Sequence, residues 1–208
     1  MWLWRKFYYL KYLSNKRLTI KNHEFQDILN KNYFEVFGFK EIFLINTESL
    51  RQAYLKLQKQ FHPDYFISDK NLTINKDIII AISAHINNAY KTLLNPLSRA
   101  ILLLNLHDIA YNLNNDTSIS ETFIIEQMEI HEEIEEAKTT KNLVALENIE
   151  EKIKTKKNII VDNLNIAFTH ISKQNASNDY KGIKKLIEQL AFYDKLEHLV
   201  NNSIHDII

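Results

Sequence analysis

From Tyr33 onward, apolar residues recur at helical spacing, and each run is closed by a polar or helix-stopping residue. Tyr33 to Phe37 reads as a short turn of helix stopped by Gly38, since glycine most easily takes the left-handed position after a helix. Asn46 or Thr47 can cap the next helix, whose apolar positions Leu50, Tyr54, Leu57 and Phe61 share one face. Pro63 ends it, because proline lacks an N–H and disfavours helical geometry in the residue before it. After a polar loop from Tyr65 to about Lys76, a third helix carries Ile79, Ile82, Ile86, Ala89, Tyr90 and Leu93 and ends near Asn95-Pro96. Pro96 suits the first turn of a short fourth helix, Leu97 to Leu106.

The segment Asn112 to Ser120 is polar and turn-rich and reads as a linker. Three longer helical patterns follow: Glu121 to Lys138, Asn142 to about Lys173, and Asp179 to about Asn202. The short breaks at Thr139-Thr140 and Gln174 to Asn178 favour an antiparallel three-helix bundle. No repeat of fixed period is visible. The pattern therefore predicts an all-α chain: a small helical domain, a linker and a bundle.

Composition narrows the chemistry. Hydrophobic residues make up 45% of the 208 positions and charged residues 25%, enough apolar content for a buried core. Two glycines and two prolines leave little room for phosphate-cradling loops or multi-turn β architectures. With no cysteine, disulfides, thiolate metal sites and cysteine nucleophiles are excluded, and a reducing compartment fits. The formal net charge is zero but unevenly placed: six Lys or Arg and no acid lie between Met1 and His23, and acids outnumber bases from His107 onward. That asymmetry argues against a nucleic-acid-binding body, which needs a basic stripe. No apolar run reaches the length of a membrane span. The basic, aromatic-rich extension 1–31 lacks the apolar core of a signal peptide, because Arg5, Lys6 and Lys11 interrupt it. It is expected to be a disordered or targeting tail, or to be absent from the mature protein.

His62-Pro63-Asp64 stands where a basic amphipathic helix meets the polar loop. Arg51, Lys56 and Lys59 fall off the apolar stripe and should face solvent, and Pro63 should push His62 out of helical geometry. A rigid tip beside a positive helix face suits an acidic partner surface, since its hydrogen bonds cost little conformational entropy. A given tripeptide arises by chance in a chain this long on the order of a few per cent of the time, so the motif needs its surroundings. Those are Tyr33-Phe34, the row Leu50, Tyr54, Leu57, Phe61, and then Ile86-Asn87-Asn88-Ala89-Tyr90. Together they resemble the four helices of a J domain. The continuation Leu93-Leu94-Asn95-Pro96-Leu97-Ser98-Arg99-Ala100 with Leu102-Leu103-Leu104 is similar to the HscB family of J-type co-chaperones, which serve iron–sulfur cluster assembly.

The resemblance covers roughly Tyr33 to the C-terminus. It implies an N-terminal J domain over 32–106 (a helical hairpin with short flanking helices), a linker over 107–120, and a C-terminal antiparallel three-helix bundle over 121–208. It further implies that His62, Pro63, Asp64, Arg51, Lys56 and Lys59 engage a DnaK/HscA-type chaperone and stimulate its ATPase. Eukaryotic members often carry a zinc-binding Cys-x-x-Cys segment near the N-terminus. Its absence here points to the bacterial form and a cytoplasmic location, with the mitochondrial matrix as the alternative.

The segment Glu121 to Lys138 has more apolar surface than docking requires. On a helix at about 100° per residue, Phe123, Ile130, Ile134 and Ala137 form one stripe. Ile124, Ile125 and Met128 fall elsewhere, grouped with Glu129, Glu132, Glu135 and Glu136. An apolar cluster bordered by acids, away from the core stripe, has the make-up of a docking patch; alternatively, three-helix packing buries both sides and the acids form a solvated rim. The HscB resemblance implies that this face binds the cluster scaffold protein, of the IscU type, through Ile124, Ile125, Met128, Glu129, Glu132 and Glu136, with Phe192 contributing from the last helix.

No enzymatic constellation competes. None of the eight histidines has a Glu three positions before it, as a carboxylate-bridged metal site in a bundle would need. His131-Glu132-Glu133 lacks the second histidine of the zinc-protease pattern. Neither a Gly-x-Ser-x-Gly elbow nor a P-loop is present. The expectation is a non-enzymatic co-chaperone with no cofactor and no metal. A generic J-domain protein with another client, or a helical interaction protein in which His-Pro-Asp is inert, remain open.

Overall fold

The computed structural model describes residues 27–62, 76–109, 111, 120–171 and 176–207, the side chains of 176–178 apart. Pro63, Asp64, the polar loop up to residue 75, linker positions 112–119, most of the basic extension and part of the last predicted break lie outside the described residues. No strand occurs among the described residues. From Tyr33 onward the helices are α1 (Tyr33–Phe37), α2 (Thr47–Phe61), α3 (Lys76–Leu94), α4 (Pro96–Leu106), α5 (Glu121–Thr139), α6 (Leu143–Thr169) and α7 (Ala176–His205).

Asparagine starts four of them. Asn32, Asn46, Asn95 and Asn142 each accept a hydrogen bond from a backbone N–H of the first turn, which leaves that turn one unpaired donor fewer. At α1 the box is reciprocal, because Glu35 also accepts from the Asn32 N–H at 2.9 Å. Gly38 closes α1 with φ 72°, ψ 26°, the left-handed stop expected from its identity. Pro96 occupies the first turn of α4, where a missing N–H costs nothing.

The chain divides into two compact units, one formed by residues up to Glu41 together with Ile45–Leu94, the other by Ile42–Leu44 together with Asn95 onward. In the first, α2 and α3 run antiparallel: Phe61 clusters with Ile79, Ile82 and Ile86, while Tyr54 stacks on Tyr90 at 4.1 Å. Ile28, Leu29, Val36 and Phe37 close the open side of this cluster. A polar clamp joins the two helices, since Asn87 Oδ1 accepts from Tyr54 Oη at 3.0 Å and from Gln58 Nε2 at 2.6 Å.

In the second unit, α5, α6 and α7 supply helically spaced core residues: Phe123, Ile134 and Ala137; Leu146, Ile149, Ile153, Ile160 and Leu164; Ile183, Ile187, Leu190, Tyr193, Leu196 and Val200. Each fully buried aliphatic side chain of this kind contributes roughly 1.5–3 kcal/mol. The pairs Lys152–Glu133 and Lys156–Glu126 fix α5 and α6 as antiparallel. Lys157 reaches both Asp194 and Glu197 on α7 at 2.5 Å. Burial alone would lower the Lys157 ammonium, but its two carboxylate partners outweigh it and hold the group above its ordinary range.

By its contacts α4 belongs with this second unit, where it packs on α7. The expected first domain, 32–106, and the first contact unit therefore end at different residues. Arg99 of α4 is buried beneath Phe43, its guanidinium 5.0 Å from the ring centroid, and burial lowers its pKa to about 10. Phe43 in turn stacks on Phe168 of α6 at 5.4 Å.

Two helix ends differ from expectation. α6 stops at Thr169, with the His170 N–H donating to Ile166 and Ala167 carbonyls, short of the predicted Lys173. α7 starts at Ala176, so part of the predicted break 174–178 is helical, and it runs on to His205. The expected start, Asp179, instead falls within the first turn, where its negative charge complements the helix dipole. Gly182 lies exposed in the interior of α7, and a Cβ there would meet nothing within 4 Å. Gly182→Ala is expected to stabilise the second unit by about 0.5–1 kcal/mol, read as a higher denaturant midpoint at unchanged slope.

Candidate functional site

Two surfaces gather the residues singled out from the sequence. The first is the end of α2. Its buried face (Leu50 and Phe61, with Tyr54 and Leu57 half-buried) leaves Arg51, Lys56 and Lys59 exposed. Arg51 pairs loosely with Glu48 at 3.7 Å, an exposed contact worth about 0–1 kcal/mol. Lys56 and Lys59 have no ion-pair partner among the described residues. Phe61, buried in the α2–α3 core, anchors the helix end, and His62 follows with φ −66°, ψ 129°. His62 is thus out of helical geometry, half-buried, and held at the tip of a basic helix. Pro63 and Asp64, the rest of this group, lie outside the described residues.

The second surface is the outer face of α5. Phe123, Ile134 and Ala137 point into the bundle and are buried, with Ile130 half-buried beside them. On the opposite side Ile124, Ile125 and Met128 are 47%, 51% and 58% exposed. Three-helix packing therefore does not bury both sides. Glu129, Glu132, Glu135 and Glu136 share the exposed side.

The acids of α5 sort by side. Glu126 and Glu133, on the flank facing α6, pair with Lys156 and Lys152. The four outer glutamates have no ion-pair partner among the described residues. Like charges three and four residues apart each cost a helix about 0.2–0.5 kcal/mol, so the unpaired group is a standing cost that a cationic partner would relieve. Phe192 of α7 lies half-buried, edge-on to Phe123 at 5.5 Å and to Tyr193 at 5.4 Å. It is thereby tied to the first turns of α5, where Ile124 and Ile125 emerge.

Sequence reading missed the link that fixes α5 against α7. Tyr193, buried, donates its phenol to Glu126 Oε1 at 2.9 Å, and Lys156 binds the same oxygen. Burial alone would raise the Glu126 carboxyl; the bonds from Lys156 and Tyr193 and the Lys156 charge outweigh it and hold its pKa below the ordinary value. The same burial and the neighbouring carboxylate push the Tyr193 phenol up. A carboxylate with a depressed folded pKa stabilises the fold above its unfolded value, and that contribution is lost as pH falls through the folded value. Tyr193→Phe is expected to cost about 1.5–3 kcal/mol at neutral pH, with the gap from wild type closing in acid below the ordinary carboxylate range. Denaturant melts across pH 3–7 check both.

No group of three or more His, Asp or Glu side chains capable of holding a metal occurs among the described residues. No helix among them is long and apolar enough to cross a membrane.

Comparison with known proteins bears on both units. Residues 120–201 match the family model described as the HSCB C-terminal oligomerisation domain. The iron-sulfur cluster co-chaperone protein HscB of Homo sapiens is 32% identical over 170 residues, covering 82% of this chain and 67% of the human protein. The co-chaperone protein HscB homolog of Neisseria meningitidis serogroup A is 32% identical over 172 residues, covering 83% of this chain and 98% of that relative. Among solved structures, human HscB superposes with a TM-score of 0.72 at 31% identity, over 83% of this chain and 82% of that one. HscB from Vibrio cholerae superposes with a TM-score of 0.70 at 29% identity, over 86% of this chain and all of that one. The likeness extends through the α2–α3 hairpin as well as the bundle, so the J domain and the C-terminal helices are shared together. With a bacterial relative matched over nearly its whole length, this chain is a member of the HscB co-chaperone family.

Proposed function

We propose that the protein is a non-enzymatic J-type co-chaperone that stimulates the ATPase of a DnaK/HscA-type chaperone and delivers an iron–sulfur cluster scaffold of the IscU type to it. The observation that supports this reading best is the division of two dissimilar surfaces between two compact units of one chain. A basic helix ending at His62 belongs to the first, and an apolar face bordered by unpaired acids belongs to the second. Among the described residues, neither surface offers a nucleophile with a positioned base. Both have the make-up of protein-docking sites.

On this reading Arg51, Lys56 and Lys59 steer α2 onto an acidic groove of the ATP-bound chaperone. His62, Pro63 and Asp64 bias the chaperone toward hydrolysis, which requires only that they bind one of its states better than the other. Ile124, Ile125, Met128 and Phe192 hold the scaffold by apolar contact, and Glu129, Glu132 and Glu136 meet its cationic groups. Tethering the client to the trigger raises its effective concentration at the chaperone without any new contact. The proposed setting is the bacterial cytoplasm, with the mitochondrial matrix as the alternative; no cofactor is required.

The test is the steady-state ATPase of a DnaK/HscA-type chaperone titrated with the protein. Saturable stimulation supports the reading; none with any chaperone of that type overturns it. A second reading of the α5 face has one observation in its favour, the description of the matched family model as an oligomerisation domain. It predicts a dimer by light scattering that Ile125→Ala with Phe192→Ala dissolves.

A further inference from the structure

The solvent face of α2 holds one large apolar side chain that neither the hairpin core nor the proposed role of the basic residues employs. Leu55 is 43% exposed, whereas its neighbours Tyr54 and Leu57 pack on the core cluster. Arg51 stands four residues before it and Lys59 four residues after it, so the three lie in one row along the helix. Gln52 and Lys56, also exposed, border the row. The result is a leucine with Arg51, Lys56 and Lys59 beside it on one helix face, Arg51 loosely paired with Glu48.

We propose that Leu55 is the apolar anchor of the chaperone-facing surface of α2, seated in an apolar hollow of an otherwise acidic partner surface. This rests on the chaperone-binding reading above and adds to it the residue that holds the complex once formed. The division of labour follows from general interface physics. Rim charges speed and orient encounter, but their attraction is largely offset by desolvation. Residence comes from a central side chain that is fully desolvated on binding and ringed by polar groups that exclude water. The charges also select the occupant. Three cations beside Leu55 repel a second copy of the same face and call for a partner whose rim is acidic.

The test titrates the full chain, wild type and Leu55→Ala, against the ATPase of an HscA-type chaperone at low and moderate salt. Alanine is a better helix former than leucine at an exposed site, so the helical circular dichroism of the variant should match wild type. The concentration giving half-maximal stimulation is expected to rise about tenfold, equivalent to ~1.4 kcal/mol, at both salt concentrations and with maximal stimulation kept. Leu55→Met should recover most of that loss. Lys56→Gln with Lys59→Gln should instead weaken stimulation mainly at low salt. Superimposed wild-type and Leu55→Ala titrations, or a loss of maximal stimulation with no shift in half-maximal concentration, would overturn the anchor role and leave the function reading intact. Weaker self-association of Leu55→Ala in light scattering, with unchanged stimulation, would overturn it in favour of a second copy as the occupant. A wild-type chain that stimulates no such chaperone overturns both readings, and so is told apart from failure of the anchor alone.

Discussion

Replacement of His62 by glutamine is expected to abolish stimulation of the chaperone ATPase while leaving the fold and scaffold binding intact. His62 is placed by its predecessors. Phe61 is locked into the Ile79–Ile82–Ile86 cluster, and the Asn87 clamp on Tyr54 and Gln58 fixes the register of α2 against α3. The helix therefore ends at a defined point, and His62 leaves it with an extended backbone that glutamine can adopt without strain. What glutamine loses is the imidazole, with its two distinct ring nitrogens and flat shape. If, as proposed, the site favours one chaperone state over another, the loss should appear as a fall in maximal stimulation of at least about tenfold, or ~1.4 kcal/mol of lost bias. The half-maximal concentration should move much less, since the cations proposed to drive encounter remain. Stopped-flow or coupled-assay ATPase rates decide it. If His62→Gln also abolished scaffold binding, the two surfaces could not be acting as separate modules.

Paired substitution of Ile125 and Phe192 by alanine is expected to weaken scaffold binding by roughly 2–4 kcal/mol, a loss of about thirtyfold or more, as at an interface hot spot. Ile125 is half exposed on the outer face of α5, while Phe192 is half-buried and braced by Phe123 and Tyr193. The two truncations therefore differ in kind: Ile125→Ala removes contact surface alone, whereas Phe192→Ala also removes a ring that supports the first turns of α5. A denaturant melt of each single variant separates the terms, and only Phe192→Ala should shift the midpoint. Calorimetric titration with the scaffold reads the affinity, and stimulation of the chaperone without scaffold should be retained. Unchanged scaffold affinity would remove this face from the binding site.

What the sequence could reveal was what depends on local spacing. The helix starts at Asn46 and Pro96 and the stop at Gly38 depend on one or two residues, and all were legible. So was the grouping of the apolar residues of α5 into a stripe and a separate trio, because a helix carries both in its own periodicity; that the trio stays exposed depends on how the neighbouring helices pack and was not legible. The links between distant positions were not legible. Tyr193 and Glu126 are 67 residues apart and Tyr54 and Asn87 are 33 apart, and no spacing rule relates either pair. Arg99 beneath Phe43 is a stronger case, since a buried arginine runs against the usual surface placement of charge and is accommodated by groups close in space, the Phe43 ring among them. The early end of α6 escaped for the opposite reason: Ile171 continues the apolar rhythm past the point where the backbone stops being helical.

One chain is proposed to bring the client and the hydrolysis trigger to the chaperone together. The most direct test is the steady-state ATPase of an HscA-type chaperone with the protein alone, with the cluster scaffold alone, and with both. The two together are predicted to stimulate well beyond the product of their separate effects, with the excess vanishing in His62→Gln and in the Ile125→Ala, Phe192→Ala pair alike. Stimulation that is merely the product of the two separate effects, or that ignores the scaffold altogether, would contradict this proposal and point to a J-domain protein serving a different client.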